Sequence, residues 1–192
     1  MAAILTSLRN TVIAGFILAA LLIISYANNG GAFDHNWGAF ILRYIHVLSG
    51  IMWIGLLYYF NFVQIPNMPN IPDDQKPAIG KVIAPAALWW FRWGAMFTMG
   101  SGLLLAHANG YLVSALTLEM TTIGIGMWLG LVMWFNVWFV IWPNQKRALG
   151  IVEADADTKA ASARTAMLFS RTNTMLSIPM LYCMVAAQNL GI

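Results

Sequence analysis

The stretch WGAFILRYIHVLSGIMWIGLLYYFNFVQ, residues 37–64, decides the fold class. A helix needs about 20 mostly apolar residues to cross the hydrocarbon core of a bilayer, and this stretch exceeds that length. Arg43 and His46 lie inside it, where ionisable groups are costly and usually serve a function. Residues that recur at helical spacing share one face of the predicted helix: Arg43, His46, Gly50, Trp53 and Leu57. We therefore expect this face to look inward, toward other helices or a ligand.

The composition excludes a soluble globular protein. Hydrophobic residues make up 60% of the 192 residues and charged residues 9%, whereas soluble domains carry about 25% charged residues. The mean hydropathy is +0.70. We predict an all-α helical bundle that is integral to the membrane, forms one domain over residues 1–192 and has lipid as its first partner. Cys183, the only cysteine, excludes an intrachain disulfide and a cysteine-cluster metal site.

Motifs of soluble enzymes and of nucleic-acid binding are missing from the sequence. It contains no P-loop, GxGxxG, GxSxG or HExxH motif. Its basic residues form no stripe that would follow a phosphate backbone. We therefore expect no nucleic-acid partner.

Five apolar runs predict five membrane-spanning helices. The first is expected to be retained rather than cleaved as a signal peptide, because no small-residue cleavage motif precedes the polar NNGG. Pro66 and Pro143 are predicted to end the second and fourth helices. The predicted helices cover approximately residues 10–27, 37–64, 83–108, 120–142 and 166–188.

Basic residues outside these helices or near their ends predict the orientation. They occur at the N-terminus, after the second helix and after the fourth, whereas the other two loops and the C-terminus lack them: Arg9, Lys76, Lys81, Lys146, Arg147, Lys159, Arg164 and Arg171. The positive-inside rule then places the N-terminus in the cytoplasm and the C-terminus outside. We predict a multi-pass protein of the bacterial cytoplasmic (inner) membrane.

Two histidines are predicted to share the outer half of the membrane. His46 lies about 10 Å down the second helix, at 1.5 Å per residue, and His107 closes the outer end of the third. Imidazoles from neighbouring helices at similar depth hold a b-type haem in many bundles. Arg43 is placed for a haem propionate, while Gly50 and Gly100 would leave room for a flat ring. The plainer alternative is that His46 bonds to a neighbouring helix and His107 is solvated.

A second polar cluster is predicted in the inner half of the membrane. It comprises Arg92, Asn61, Asn136 and Asn173. No acidic residue lies in any predicted helix, so Arg92 needs amides, carbonyl groups, water or an anionic ligand as partners. A structural hydrogen-bond network is the expected role, and a quinone or substrate pocket is the alternative.

Four blocks of the sequence resemble the membrane domain of the urate oxidase N-terminal family. They are LRYIHVLSGIMWIGLLYYFNFVQ (42–64), FRWGAMFTMGSGLLL (91–105), NVWFVIWPNQKRALG (136–150) and RTNTMLSIPMLYCMVAAQN (171–189). That family is the bacterial integral-membrane urate hydroxylase, usually fused to a cytochrome c. The pattern from His46 to Gly55 is also similar, more distantly, to the haem-binding four-helix superfamily that includes a protoporphyrinogen oxidase and copper-resistance membrane proteins.

The resemblance implies site residues, and the sequence departs from it at others. It implies a haem ligand at His46 and functional importance for further residues: Arg43, Trp53, Arg92, Asn136, Asn144 and Asn173. Thr172 and Gln188 stand where the family often has histidines, which weakens the case for urate chemistry. The sequence has no CxxCH motif, so an electron acceptor is expected to be a separate protein.

Three functions follow as hypotheses. The first is electron transfer by a b-type haem between His46 and His107, from a quinol or reduced substrate to a cytochrome c or larger membrane complex. The second is an oxidoreductase that oxidises or hydroxylates urate or a similar small molecule, with the inner polar cluster as its pocket. The third is a non-redox accessory subunit of a respiratory or photosynthetic membrane complex.

Overall fold

A computed structural model describes residues 2–190, with side chains described at all of these except Ala3. Over this range the chain is helical and contains no strand, which confirms the all-α class. The chain forms two compact units, residues 1–40 and 41–192. That the whole chain is one domain stays a prediction.

The first unit contains a short helix, a long apolar helix and the start of the next one. Helix α1 covers Ala2–Leu5, α2 covers Leu8–Asn28, and α3 begins at His35. Ser7 caps α2 by accepting a hydrogen bond from the backbone N–H of Asn10 at 3.4 Å. No residue of α2 is buried in the structure.

The second unit begins within α3 and continues almost without a break in helical structure. Helix α3 covers His35–Tyr58, and α6, the next long helix, covers Ala84–Ala108. Between them lie a π-helical segment at Tyr59–Gln64, α4 at Ile65–Asn67, a 3-10 turn at Met68–Asn70, α5 at Lys76–Ala78 and a π-helical segment at Ile79–Ile83.

The rest of the second unit contains two further long helical stretches. A short helix and a positive-φ residue, Leu118 at φ 63°, connect α6 to the first of them. The last helix begins where Asp155 caps it, since the Asp155 carboxylate accepts a 2.8 Å hydrogen bond from the Thr158 N–H. The elements are α7 at Leu112–Leu116, α8 at Thr121–Phe135, a π-helical segment at Asn136–Ile141, α9 at Trp142–Ala148 and α10 at Ala156–Asn189.

The prediction that Pro66 and Pro143 end their helices is wrong. The chain stays helical to Asn70 after Pro66 and to Ala148 after Pro143. In both places a π-helical segment ends just before the proline, which occupies one of the first two positions of a new α-helical turn. Proline is tolerated there because the first N–H groups of a helical turn need no partner inside it.

Asparagine side chains satisfy carbonyl groups around the π-helical segments. A π-helical turn bonds each N–H to the carbonyl five residues back, so neighbouring carbonyls need other donors. The Asn61 side-chain amide donates to the Leu57 carbonyl at 2.9 Å, and that of Asn173 donates to the Met133 carbonyl at 2.9 Å. These asparagines therefore stabilise the wide turns.

Three helices of the described residues are long and apolar enough to cross a membrane, judged by length and composition. They are Leu8–Asn28, His35–Asn70 and Thr121–Ala148. Helices α6 and α10 have sufficient length, at 25 and 34 residues, but α10 is less apolar because its first half carries several charged residues. A membrane protein is thus indicated, and the count of five spans stays a prediction.

Candidate functional site

A largely apolar cavity of about 590 Å³ lies inside the second unit. Its wall is built by α3, α6, α8 and α10, together with the turn that follows α6. Polar side chains are concentrated near one end: Arg43, Tyr111, Gln188 and Asn189. A volume between about 300 and 1,000 Å³ with few polar groups is typical of cofactor and small-ligand sites.

His46 contributes its imidazole to the cavity wall in a fixed tautomer. Its Nδ1–H donates to the backbone carbonyl of Thr98 on α6, at 2.8 Å. Because a carbonyl oxygen can only accept, Nδ1 carries the proton and Nε2 of the neutral ring keeps its lone pair. A histidine that donates one ring N–H to a carbonyl and offers the other nitrogen is the usual arrangement of a metal-ligating imidazole.

Two glycines of α6 allow α3 to approach closely enough for this hydrogen bond. A Cβ atom at Gly102 would lie 2.8 Å from Cε1 and 2.9 Å from Nδ1 of His46. A Cβ atom at Gly94 would lie 3.2 Å from the backbone nitrogen of Trp53. The imidazole therefore rests directly on the backbone of α6 at Gly102.

Four of the predicted site residues line the cavity. They are Arg43, His46, Gly50 and Trp53, all on α3. Trp53 is 1% exposed and also belongs to the main hydrophobic core. These four residues, which were predicted to share the inward face of the second helix, thus line one cavity.

Gly100 and His107 are not among the cavity-lining residues, although both were predicted to contribute to the haem site. Successive residues of an α-helix are about 100° apart, so Gly100 lies about 160° and His107 about 140° around α6 from Gly102. Both are exposed, and a Cβ at Gly100 would meet no heavy atom within 4 Å among the described residues. Gly102, not Gly100, provides the space beside His46.

The polar end of the cavity combines a cation with hydrogen-bond donors. Burial raises the pKa of the Tyr111 hydroxyl, while the positive charge of Arg43 acts on that pKa in the opposite direction. The net shift keeps Tyr111 a protonated phenol at neutral pH. Arg43, Tyr111 and the side-chain amides of Gln188 and Asn189 can therefore all donate to an anionic or carbonyl group of a ligand.

The predicted inner polar cluster consists of hydrogen-bonded asparagine side chains and an arginine stacked on an aromatic ring. Asn136 donates to the Asn173 side-chain oxygen at 2.8 Å, and Asn61 donates to the Ser170 hydroxyl at 2.7 Å. Arg92 instead stacks on Trp142, with Cζ 3.3 Å from the ring centroid. These two hydrogen bonds join π-helical segments to α10, which favours the structural interpretation over a pocket.

No cluster of three or more histidine, cysteine, aspartate or glutamate side chains that could hold a metal ion occurs among residues 2–190.

Residues 112–189 match the family model described as urate oxidase N-terminal. The resemblance to that family is confirmed over this segment. The matched segment spans α7 to α10 and supplies one wall of the cavity, including Met127, Gly130, Met184 and Gln188. His46 and Arg43 lie before the matched residues. No curated protein and no solved structure matches the chain.

We predict opposite effects for alanine at two neighbouring glycines of α6. Gly102→Ala should displace the His46 ring and lower the free energy of unfolding by about 1–3 kcal/mol, the usual cost of overpacking. Gly100→Ala should be neutral or stabilising by up to roughly 1 kcal/mol, because alanine is the better helix former. Thermal unfolding of both variants in detergent would measure this. Equal stability of the two variants would contradict the close contact at Gly102.

Proposed function

We propose that this protein is a membrane-bound b-type haem protein in electron transfer, with His46 as an axial ligand. The observation that carries the proposal is the Nδ1–H bond from His46 to the Thr98 carbonyl, which leaves Nε2 as a donor beside a largely apolar cavity. A bound haem would supply a one-electron iron couple. The protein would orient the imidazole, exclude water and hold the macrocycle's edge.

The residues of the cavity fit an amphiphilic macrocycle. Apolar side chains from α3, α6, α8 and α10 would contact the body of the ring. Arg43 and Tyr111 would donate to a propionate carboxylate at the polar end, where the guanidinium charge is favourable. The Gly102 backbone would keep the imidazole in place through its contact with the ring.

The proposal includes an arrangement in the membrane. Helices α6 and α10 would supply the two crossings beyond the three that length and composition indicate, which gives five. The N-terminus would lie in the cytoplasm of a bacterium, because the basic residues then fall on the inner side. Electrons would come from a quinol or reduced substrate and leave to a cytochrome c or a larger membrane complex.

Reporter fusions test the orientation. Alkaline phosphatase attached after Ile192 should be active and a fluorescent protein at the same point dark, because the C-terminus is expected outside. The same reporters placed after Gln75, in the loop expected inside, should behave in the opposite way. An inactive phosphatase at the C-terminus would reject the predicted location of the C-terminus outside the cytoplasm.

We predict that the purified protein absorbs in the Soret region and that His46→Ala lowers its haem content by more than roughly tenfold, as expected for loss of a metal ligand. Ile45→Ala is the matched control, because Ile45 is the exposed neighbour of His46. Haem extraction and oxidised and reduced spectra would measure both variants. A parent protein without haem after expression with haem supplied would reject the proposal.

A second candidate function is oxidation of urate or a similar small molecule. The match of residues 112–189 to the urate oxidase N-terminal family favours it, because those residues build one wall of the cavity. Electrons would pass from the substrate to a separate acceptor.

Membranes that carry the protein, supplied with urate and an electron acceptor, should then consume urate, and His46→Ala membranes should not. A haem-loaded protein that leaves urate unchanged with the acceptor present would reject the enzyme and leave the electron carrier standing.

A further inference from the structure

We propose that a methionine thioether from α8 or α10, given by Met127 or Met184, would be the second protein ligand of the haem iron beside His46. This inference rests on the proposed haem site and specifies its chemistry. It follows from which donor atoms the cavity wall contains, and at what depth they lie.

The donor atoms of the cavity wall leave few alternatives. Among the described lining residues, His46 is the only histidine, and there is no cysteine. The common axial ligands of haem iron in proteins are histidine, cysteine, methionine and tyrosine. Tyr111 and four methionines therefore remain: Met99, Met127, Met180 and Met184.

Tyr111 is poorly suited to bind iron. A tyrosine ligand binds as the phenolate, and burial of Tyr111 disfavours that charged form. Tyr111 also lies near the guanidinium of Arg43, at the polar end of the cavity. It suits a hydrogen-bond donor to a carboxylate better than a ligand at the ring centre.

The methionines differ in how far they lie from the ends of their helices. The His46 ring rests on Gly102, which is six residues, or about 9 Å, from the end of α6. Met127 is likewise six residues, or about 9 Å, from the start of α8. Met184 is five residues from the end of α10, or about 8 Å. Met180 lies about 6 Å deeper than Met184 along α10.

The helices place Met127 and Met184 on another side of the cavity from His46. Met99 lies on α6, about 4–5 Å deeper than Gly102, and its terminal methyl is 4.0 Å from the position of a Cβ at Gly130 on α8. Met184 lies on α10, and its terminal methyl is 3.4 Å from the position of a Cβ at Gly126 on α8. Its thioether therefore lies at the contact between α8 and α10, beside Gly126, the residue that precedes Met127. We infer that these two thioethers would face a macrocycle held by His46 from α8 and α10.

Leucine variants test the inference by spectrum rather than by activity. Leucine keeps nearly the volume of methionine and removes the sulfur, so each variant should still fold and bind haem through His46. The parent should show low-spin iron with the long-wavelength charge-transfer band of a thioether ligand. Met127→Leu or Met184→Leu should abolish that band, give high-spin iron and lower the reduction potential. Met99→Leu is the matched control and should change none of these.

The outcomes separate this inference from the haem proposal itself. A parent that binds no haem rejects both. A haem-containing parent whose spectrum changes in His107→Ala or Tyr111→Phe, and not in the Met127→Leu, Met184→Leu double variant, overturns the thioether ligand and leaves the haem proposal intact. High-spin iron in the parent also overturns it, because no second protein ligand would then be bound.

Discussion

The close approach of α3 to α6 is the constraint on which the candidate site depends. Gly94 receives the backbone of Trp53, and about two turns later Gly102 receives the imidazole of His46. The Thr98 carbonyl lies between these two positions and accepts the Nδ1–H bond. The hydrogen bond and the glycine contacts require one another, because a side chain at Gly102 would occupy the space of the ring.

The helices could be predicted from the sequence, but their continuity could not. Apolar runs of sufficient length predicted the long helices of the second unit. Most of the predicted ends fall within a few residues of the observed ends. The α10 start was missed, since residues 156–165 are polar and the helix there depends on a local cap at Asp155. The chain also remains helical beyond Pro66 and Pro143, because π-helical segments precede both prolines. Hydrophobic periodicity at 3.6 residues does not report such wide turns.

The candidate site was predicted only in part, because the sequence does not show which face of each helix is turned toward the cavity. The stripe Arg43, His46, Gly50 and Trp53 came from spacing within one helix, and all four residues line the cavity. His107 was chosen by depth and Gly100 because it would leave room for a flat ring, and neither argument identifies the face of α6 on which the residue lies. Spacing from Thr98 would have favoured Gly102, one turn away. Tyr111 and Gln188 lie on separate elements, so only the tertiary structure could bring them to the same cavity.

The stacking of Arg92 on Trp142 has an electrostatic consequence for the whole interior. An indole ring attracts a cation through its quadrupole but carries no net charge, so the monopole of the guanidinium persists. One Arg92 amine nitrogen also has no hydrogen-bond partner in the part of the chain that the structure describes. In a medium of low dielectric constant, such a field decays slowly with distance. A negative charge placed in this interior would be stabilised by that field, and an additional positive charge would be opposed by it.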